Sequence, residues 1–224
     1  MNRRTFLCAT IAASIGTALP APGKKSSRIL LRSSWQTANI GDIAHTPGML
    51  ALLEKHRPDA EITLWPSSVD RGVEEILRAR FPKLKIARSK TELETALAEC
   101  DFFLHGSGPM LVGLKELILA QKAGKPCGIG SVTLNDGEIK DQRDLLAGAQ
   151  FVFLRDTDSL RALQAIGITG PRMDFGPDAT FAIDLRDDVA AAALLREHQM
   201  EPGKFSAPSR ACAGRLIGRF IPSR

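Results

Sequence analysis

What this chain lacks narrows its function before any motif is considered. It has four cysteines in 224 residues. Cys8 belongs to the leader, and Cys100, Cys127 and Cys212 do not make a disulfide framework. Cys100 and Cys127 each sit beside an apolar strand, where a thiol behaves as a small hydrophobe. No His, Cys or carboxylate group has metal-ligand spacing, so no metal is expected; no other cofactor is expected either. The first apolar strand is not followed by Gly-x-Gly-x-x-Gly, which argues against a nucleotide-dependent dehydrogenase. No stretch approaches the roughly 20 apolar residues of a membrane span. There is no internal repeat and no low-complexity tract. A basic body is missing too. The net charge is +5, but Arg3 and Arg4 with Arg210, Arg215, Arg219 and Arg224 account for all of it. The body is therefore near neutral, and no nucleic-acid partner is expected.

The two ends differ from the middle. Asn2-Arg-Arg-Thr-Phe-Leu7, a weakly apolar run and Ala18-Leu-Pro-Ala21 resemble a twin-arginine export signal over residues 1–21. That reading places the protein in the periplasm or cell envelope. The alternative is a cytoplasmic protein with an irregular amino terminus. From Ser206 the chain has no Asp, Glu or Lys and no clear periodicity. Residues 206–224 read either as a natural basic tail or as the scar of a truncation that removed a second domain. Glu201-Pro-Gly-Lys-Phe205 reads as a linker entering a strand that never arrives.

Between these ends, over residues 28–200, elements alternate. Strands are expected at Ile29–Ser33, Glu61–Trp65, Leu84–Ala87, Asp101–Leu104, Pro126–Gly130 and Gln150–Leu154. Helices are expected from Pro47 to Arg57, Asp70 to Arg80, Ser89 to Cys100, Leu111 to Ala123, Ile139 to Leu146, Thr157 to Ile166 and Asp187 to Gln199. Ser89-Lys-Thr-Glu92 is a capping box, and Gly124 and Gly167 are helix stops. Regular alternation implies an α/β domain with a doubly wound, mainly parallel, Rossmann-like sheet. Right-handed crossovers gather the strand-to-helix loops on one edge, beyond the carboxyl ends of the strands, where such folds bind ligands.

Those loops carry the polar groups of interest. Asn39, Gly41 and Asp42 follow the first strand, and they either border a site or form a turn that bonds its own backbone. His105-Gly-Ser-Gly108 follows the fourth. Gly106 and Gly108 let the backbone approach a ligand, and His105 either exchanges a proton or is tied, neutral, to a carbonyl. Arg155 ends a strand, placed to grip a phosphate or carboxylate, or to pair with Asp156, Asp158 or Asp178. Ser159 reads as a brace of the Arg155 loop. Asp178 reads as a tie between neighbouring loops. His45 is assigned to the first loop, and His56 and His198 to helix surfaces.

Four segments together resemble the polysaccharide pyruvyl transferase family. They are Asn39-x-Gly-Asp42, Asp101-Phe-Phe-Leu-His-Gly-Ser-Gly108, Phe151-Val-Phe-Leu-Arg155-x-x-x-Ser159 and Gly176-Pro-Asp178-Ala-Thr-Phe181. Ser107 replaces the middle glycine of the family's triplet. The resemblance runs from about Ile29 to Asp184. It implies transfer of a pyruvyl group from phosphoenolpyruvate to a sugar of a cell-surface polysaccharide, as a ketal. It implies also the first half of a GT-B-like two-domain fold with the site in the cleft. On that basis Asp42 and His105 are the candidate acid–base residues. Asn39, Gly41, Gly106, Ser107, Gly108, Arg155, Ser159 and Asp178 are the candidate substrate-binding residues. The competing readings are a non-catalytic exported domain that binds carbohydrate or anions, and an inactive fragment whose exposed docking face would lead it to self-associate.

Overall fold

The computed structural model describes residues 26–33, 36–206 and 221–222. The segment expected to be an export signal, Cys8, Cys212 and most of the basic tail lie outside the described residues. The chain divides into two compact units, Met1–Asp184 and Leu185–Arg224.

The first unit is built on a seven-stranded parallel sheet. Its strands are β1 (Arg28–Arg32), β2 (Glu61–Trp65), β3 (Lys85–Ile86), β4 (Phe102–His105), β5 (Cys127–Val132), β6 (Phe151–Leu154) and β7 (Arg172–Phe175). Their spatial order is β3-β2-β1-β4-β5-β6-β7, all parallel. This is the expected doubly wound α/β arrangement. The order reverses between β1 and β4, which opens a crevice beyond their carboxyl ends.

The central strands are apolar throughout because both faces are covered. Side chains alternate across the sheet. Phe102, Leu104, Phe151 and Phe153 face one layer with Met49, Leu53 and Leu77. Phe103, Val152 and Leu154 face the other with Leu117, Ile139 and Leu163. Phe151 stacks on Phe102 and Phe153 with ring centroids 6.1 and 5.0 Å away. Gly128 makes room for this stack, since a Cβ there would lie 2.3 Å from the Phe151 ring.

The helices of this unit are α1 (Ile40–His56), α2 (Val73–Arg80), α3 (Lys90–Glu99), α4 (Leu114–Lys122), α5 (Asp136–Asp141), α6 (Arg143–Ala147) and α7 (Thr157–Ala165). The capping box of Ser89 and Glu92 forms as expected. Three features differ from expectation. Helix α1 starts at Ile40, with Asn39 as its N-cap and Pro47 in its interior. Asn39 satisfies a free backbone donor there, a stronger start signal than a proline seven residues on. The helix expected over Ile139–Leu146 is two short ones that meet at Gln142, the first opened by a capping box of Asn135 and Glu138. A strand, β7, and a single 3-10 turn, Ala179–Ala182, occupy the segment before Asp184. Among the described residues, no helix is long and apolar enough to cross a membrane.

The second unit contains α8 (Asp188–Glu197) and a pair of two-residue strands, β8 (Phe205–Ser206) and β9 (Ile221–Pro222), joined antiparallel. The strand expected to be absent after Lys204 thus finds a partner within the tail.

Candidate functional site

The crevice at the carboxyl ends of β1 and β4 holds a chain of four polar side chains from four segments. Asp178 precedes the 3-10 turn and is its hub. Its Oδ1 accepts from the Thr180 amide at 2.9 Å and lies 3.0 Å from His45 Nδ1. Ser107 Oγ donates to the same oxygen at 3.2 Å, accepts from the Ala179 amide at 3.1 Å, and lies 2.9 Å from His45 Nδ1. Arg155 Nη1 donates to Asp178 Oδ2 at 2.7 Å, and its Nε donates to Thr133 Oγ1 at 2.8 Å. Burial alone would raise the Asp178 carboxyl. The hydrogen bonds from His45 and the Thr180 amide, together with Arg155, outweigh it and hold the group well below the usual carboxylate range.

Local sequence explains how these groups meet. Asn39 caps α1, so the helix runs past His45 and Gly48, one turn apart on one face. Gly48 lets that face touch the 3-10 turn, because a Cβ there would lie 1.9 Å from the Ala179 carbonyl oxygen. A hydrogen bond of 2.8 Å between Ser33 and Thr46 ties α1 to the end of β1. His45 and Ser107 are buried as a result.

Serine, histidine and aspartate together invite comparison with a hydrolytic triad. The geometry rejects it: Ser107 and Asp178 both meet Nδ1, whereas a triad uses opposite ring nitrogens. The far nitrogen of His45, Nε2, has no hydrogen-bond partner among the described residues.

Several expected site residues take other roles. His105 is fully buried; its Nδ1 donates to the Gly106 carbonyl at 2.9 Å and its Nε2 accepts from the Val112 amide at 3.1 Å. A carbonyl can only accept and an amide can only donate, so the tautomer is fixed and the ring is neutral. Burial, with the nearby Arg32 charge, pushes its pKa down to about 3 against the Gly106 bond. His105 is therefore a structural tie, and the acid–base role expected of it is withdrawn.

Gly106 and Gly108 extend the sheet instead of greeting a ligand. Their amides donate to the carbonyls of Arg32 at 2.9 Å and Ser131 at 3.3 Å. Both glycines are buried. A Cβ at Gly106 would stand 3.2 Å from the Arg32 carbonyl oxygen, a tight contact that the glycine avoids. Asn39 and Gly41 are bonded to each other, Asn39 Oδ1 accepting from the Gly41 amide at 2.9 Å. Gly41 is helical, not a loop residue. Asp42 stands on the rim of the crevice, half-buried, accepting from Gln36 Nε2 at 2.6 Å.

Arg155 is paired with Asp178, one of the alternatives open in the sequence. Its Nη2 has no partner among the described residues, so one donor edge remains. Ser159 is a buried brace: its hydroxyl bonds the amide and carbonyl of Leu134 at 3.0 and 2.8 Å, and Asp156 at 2.9 Å. It adjoins a cleft lined by Asp136, Asp156 and Asp158, which would repel an anion. Among the described residues no group of His, Cys, Asp and Glu is arranged to hold a metal.

Ser131 adds strain beside the site. It has φ 58°, a left-handed conformation uncommon for serine, and its buried hydroxyl has no partner among the described residues. Sequence reasoning missed His45 because the helix was expected to begin at Pro47. The N-cap asparagine was the available signal: starting the helix there carries His45 into the second turn.

The sequence model of the polysaccharide pyruvyl transferase family matches residues 39–213. The chain belongs to that family. The match covers Asn39, Asp42, His45, Ser107, Arg155 and Asp178, and it continues past Asp184, where the resemblance read from motifs ended. A comparison with curated proteins finds no match. Among solved structures, this pyruvyl transferase family member is similar to UDP-GlcNAc 2-epimerase from Neisseria meningitidis bound to UDP-GlcNAc. The identity is 16%, over 68% of this chain and 47% of that one, with a TM-score of 0.46. It is similar also to a D-isomer specific 2-hydroxyacid dehydrogenase from Lactobacillus delbrueckii ssp. bulgaricus, at 13% identity over 90% and 66% with a TM-score of 0.37. A third is the catalytic domain of starch synthase IV from Arabidopsis thaliana, at 10% identity over 87% and 41% with a TM-score of 0.34. The chain spans 41% to 66% of the length of these three structures. Likenesses this distant do not bear on the site.

Proposed function

We propose that this chain transfers a pyruvyl group from phosphoenolpyruvate to a diol of a cell-surface polysaccharide sugar, forming a ketal. Family membership supports the reaction class. The observation that carries the reading for this chain is the His45–Asp178–Arg155 array at the crevice between β1 and β4. It supplies, side by side, an imidazole and a guanidinium edge.

The chemistry needs both. In the first step a proton adds to C3 of the enol and a sugar hydroxyl adds at C2. In the second step the neighbouring hydroxyl attacks C2, and the bond from C2 to the phosphate oxygen breaks with its electron pair leaving on phosphate. One hydroxyl proton is balanced by the new methyl group and the other by the released phosphate. Arg155 Nη2 donates charge-assisted bonds to the donor carboxylate or phosphate, since Nε and one Nη1 hydrogen are already engaged. Asp42 at the rim orients the sugar. The twin-arginine-like segment supports an exported protein of the periplasm or envelope. Ile40, Met110 and Phe181, all exposed on segments at the carboxyl edge of the sheet, support an apolar rim through which copies associate.

One observation favours a second reading, a non-catalytic exported domain that binds carbohydrate or anions. Asp178 neutralises Arg155, which weakens donor capture. Thermal unfolding with and without phosphoenolpyruvate separates the two. Donor at 100 times its dissociation constant adds about 2.7 kcal/mol to stability, or roughly 5–10 °C for a domain of this size. The shift is expected in the wild type and absent in Arg155→Gln. A folded wild type with no shift, and no phosphate release when methyl hexosides bearing a free diol are added, leaves the binding-domain reading.

A further inference from the structure

We propose that Nε2 of His45 is the base that takes the proton of the sugar hydroxyl in the phosphate-releasing step. This assignment rests on the pyruvyl-transfer reading for the identity of the substrate. It rests on the structure for the group itself.

Among the described residues the crevice offers few groups for this task. His105 has both ring nitrogens bonded to backbone. Arg155 is permanently charged and cannot accept a proton. Ser107 Oγ already contacts Asp178, His45 and the Ala179 amide. Asp42 stands at the rim, bonded to Gln36. His45 differs from all of them. Its Nδ1 is held between Ser107 Oγ and Asp178 Oδ1 at 2.9 and 3.0 Å. A carboxylate at Nδ1 selects the tautomer with the proton on that nitrogen. The lone pair is then on Nε2, the ring atom that no described residue bonds. Proton uptake there makes an imidazolium whose new charge lies directly against Asp178. Arg155 on the other carboxylate oxygen keeps that anion in place. Asp178 is in these terms a positioning residue and His45 the group that touches substrate.

The step balances. The hydroxyl oxygen bonds to C2 as the phosphate leaves with the electron pair of the bond that breaks, and the proton moves from the hydroxyl to Nε2 and then to the released phosphate.

Two measurements on the full chain test this. His45→Asn keeps a side-chain N–H for Asp178 and Ser107 but removes the Nε2 base. It is expected to keep the unfolding temperature within a few degrees and to keep the phosphoenolpyruvate-induced shift. Its turnover on methyl hexosides with a free diol is expected to fall about 100-fold or more. Turnover within a few-fold of wild type overturns the assignment. The second measurement needs no turnover. Diethyl pyrocarbonate acylates an available imidazole nitrogen, and peptide mass analysis reports each histidine separately. In the folded wild type His45 should be acylated and His105 spared. Equal inertness of the two overturns the assignment whatever the activity. A wild type that acylates at His45 yet never releases phosphate retains His45 as the available base and discards the pyruvyl-transfer reading instead.

Discussion

His45 and His105 are both buried, and neighbours decide what each can do. His105 meets a carbonyl and an amide, one at each nitrogen. Holding that ring neutral has a measurable consequence. The folded value is pushed down to about 3, whereas the unfolded value is ordinary, about 6.5. The unfolded chain therefore binds a proton that the folded chain refuses. Stability from this group is complete above about pH 6.5 and is lost as pH falls toward the folded value, at about 1.4 kcal/mol per unit. Between pH 7 and pH 5 the wild type should lose about 2 kcal/mol more in urea unfolding than His105→Gln, whose amide keeps one donor and one acceptor. Identical pH dependence in the two proteins would show that His105 is not the buried neutral group described above. The sequence singled out His105 by the glycines beside it and left His45 as a mere loop residue. Which nitrogen meets a carboxylate is a tertiary fact, set by residues more than 60 positions away.

Elements were more legible than contacts. The apolar runs of β1, β4 and β6 and the capping box of α3 announced themselves, because burial on both faces and a free helix end each demand particular residues. β7 was hidden because Arg172-Met-Asp-Phe175 is only partly covered and carries charge. The start of α1 was hidden because Pro47 looks like a first-turn proline, yet it sits inside the helix. The contact of α1 with the 3-10 turn was hidden more deeply, as it depends on Gly48 having no side chain. Alanine at a helix interior normally gains about 1 kcal/mol over glycine. Here its Cβ would stand 1.9 Å from a backbone oxygen. Gly48→Ala should therefore destabilise the protein by about 1–3 kcal/mol. A thermal scan showing an unchanged or higher melting temperature would mean that the turn does not press on the helix.

At the scale of the molecule, the sheet and both core layers belong to Met1–Asp184. In the second unit, α8 buries no residue. A chain ending after Asp184 should accordingly unfold in one cooperative step. It should keep whatever thermal response to phosphoenolpyruvate the whole protein gives. A non-cooperative or aggregating product would mean that residues after 184 complete the core. The doubly wound fold and the pyruvyl transferase family were both readable from ordered motifs, since each motif reflects a strand end or a turn that the fold repeats. The site was readable only in its location. Asp178 joins α1, the β4–α4 loop, β6 and the 3-10 turn through a single carboxylate. One consequence follows for motion. If the segment that carries Asp178 swings aside, its bonds to Ser107, Arg155 and His45 break together, whereas each of those three can part from it singly. Opening at Asp178 would thus release His45, Ser107 and Arg155 in one event.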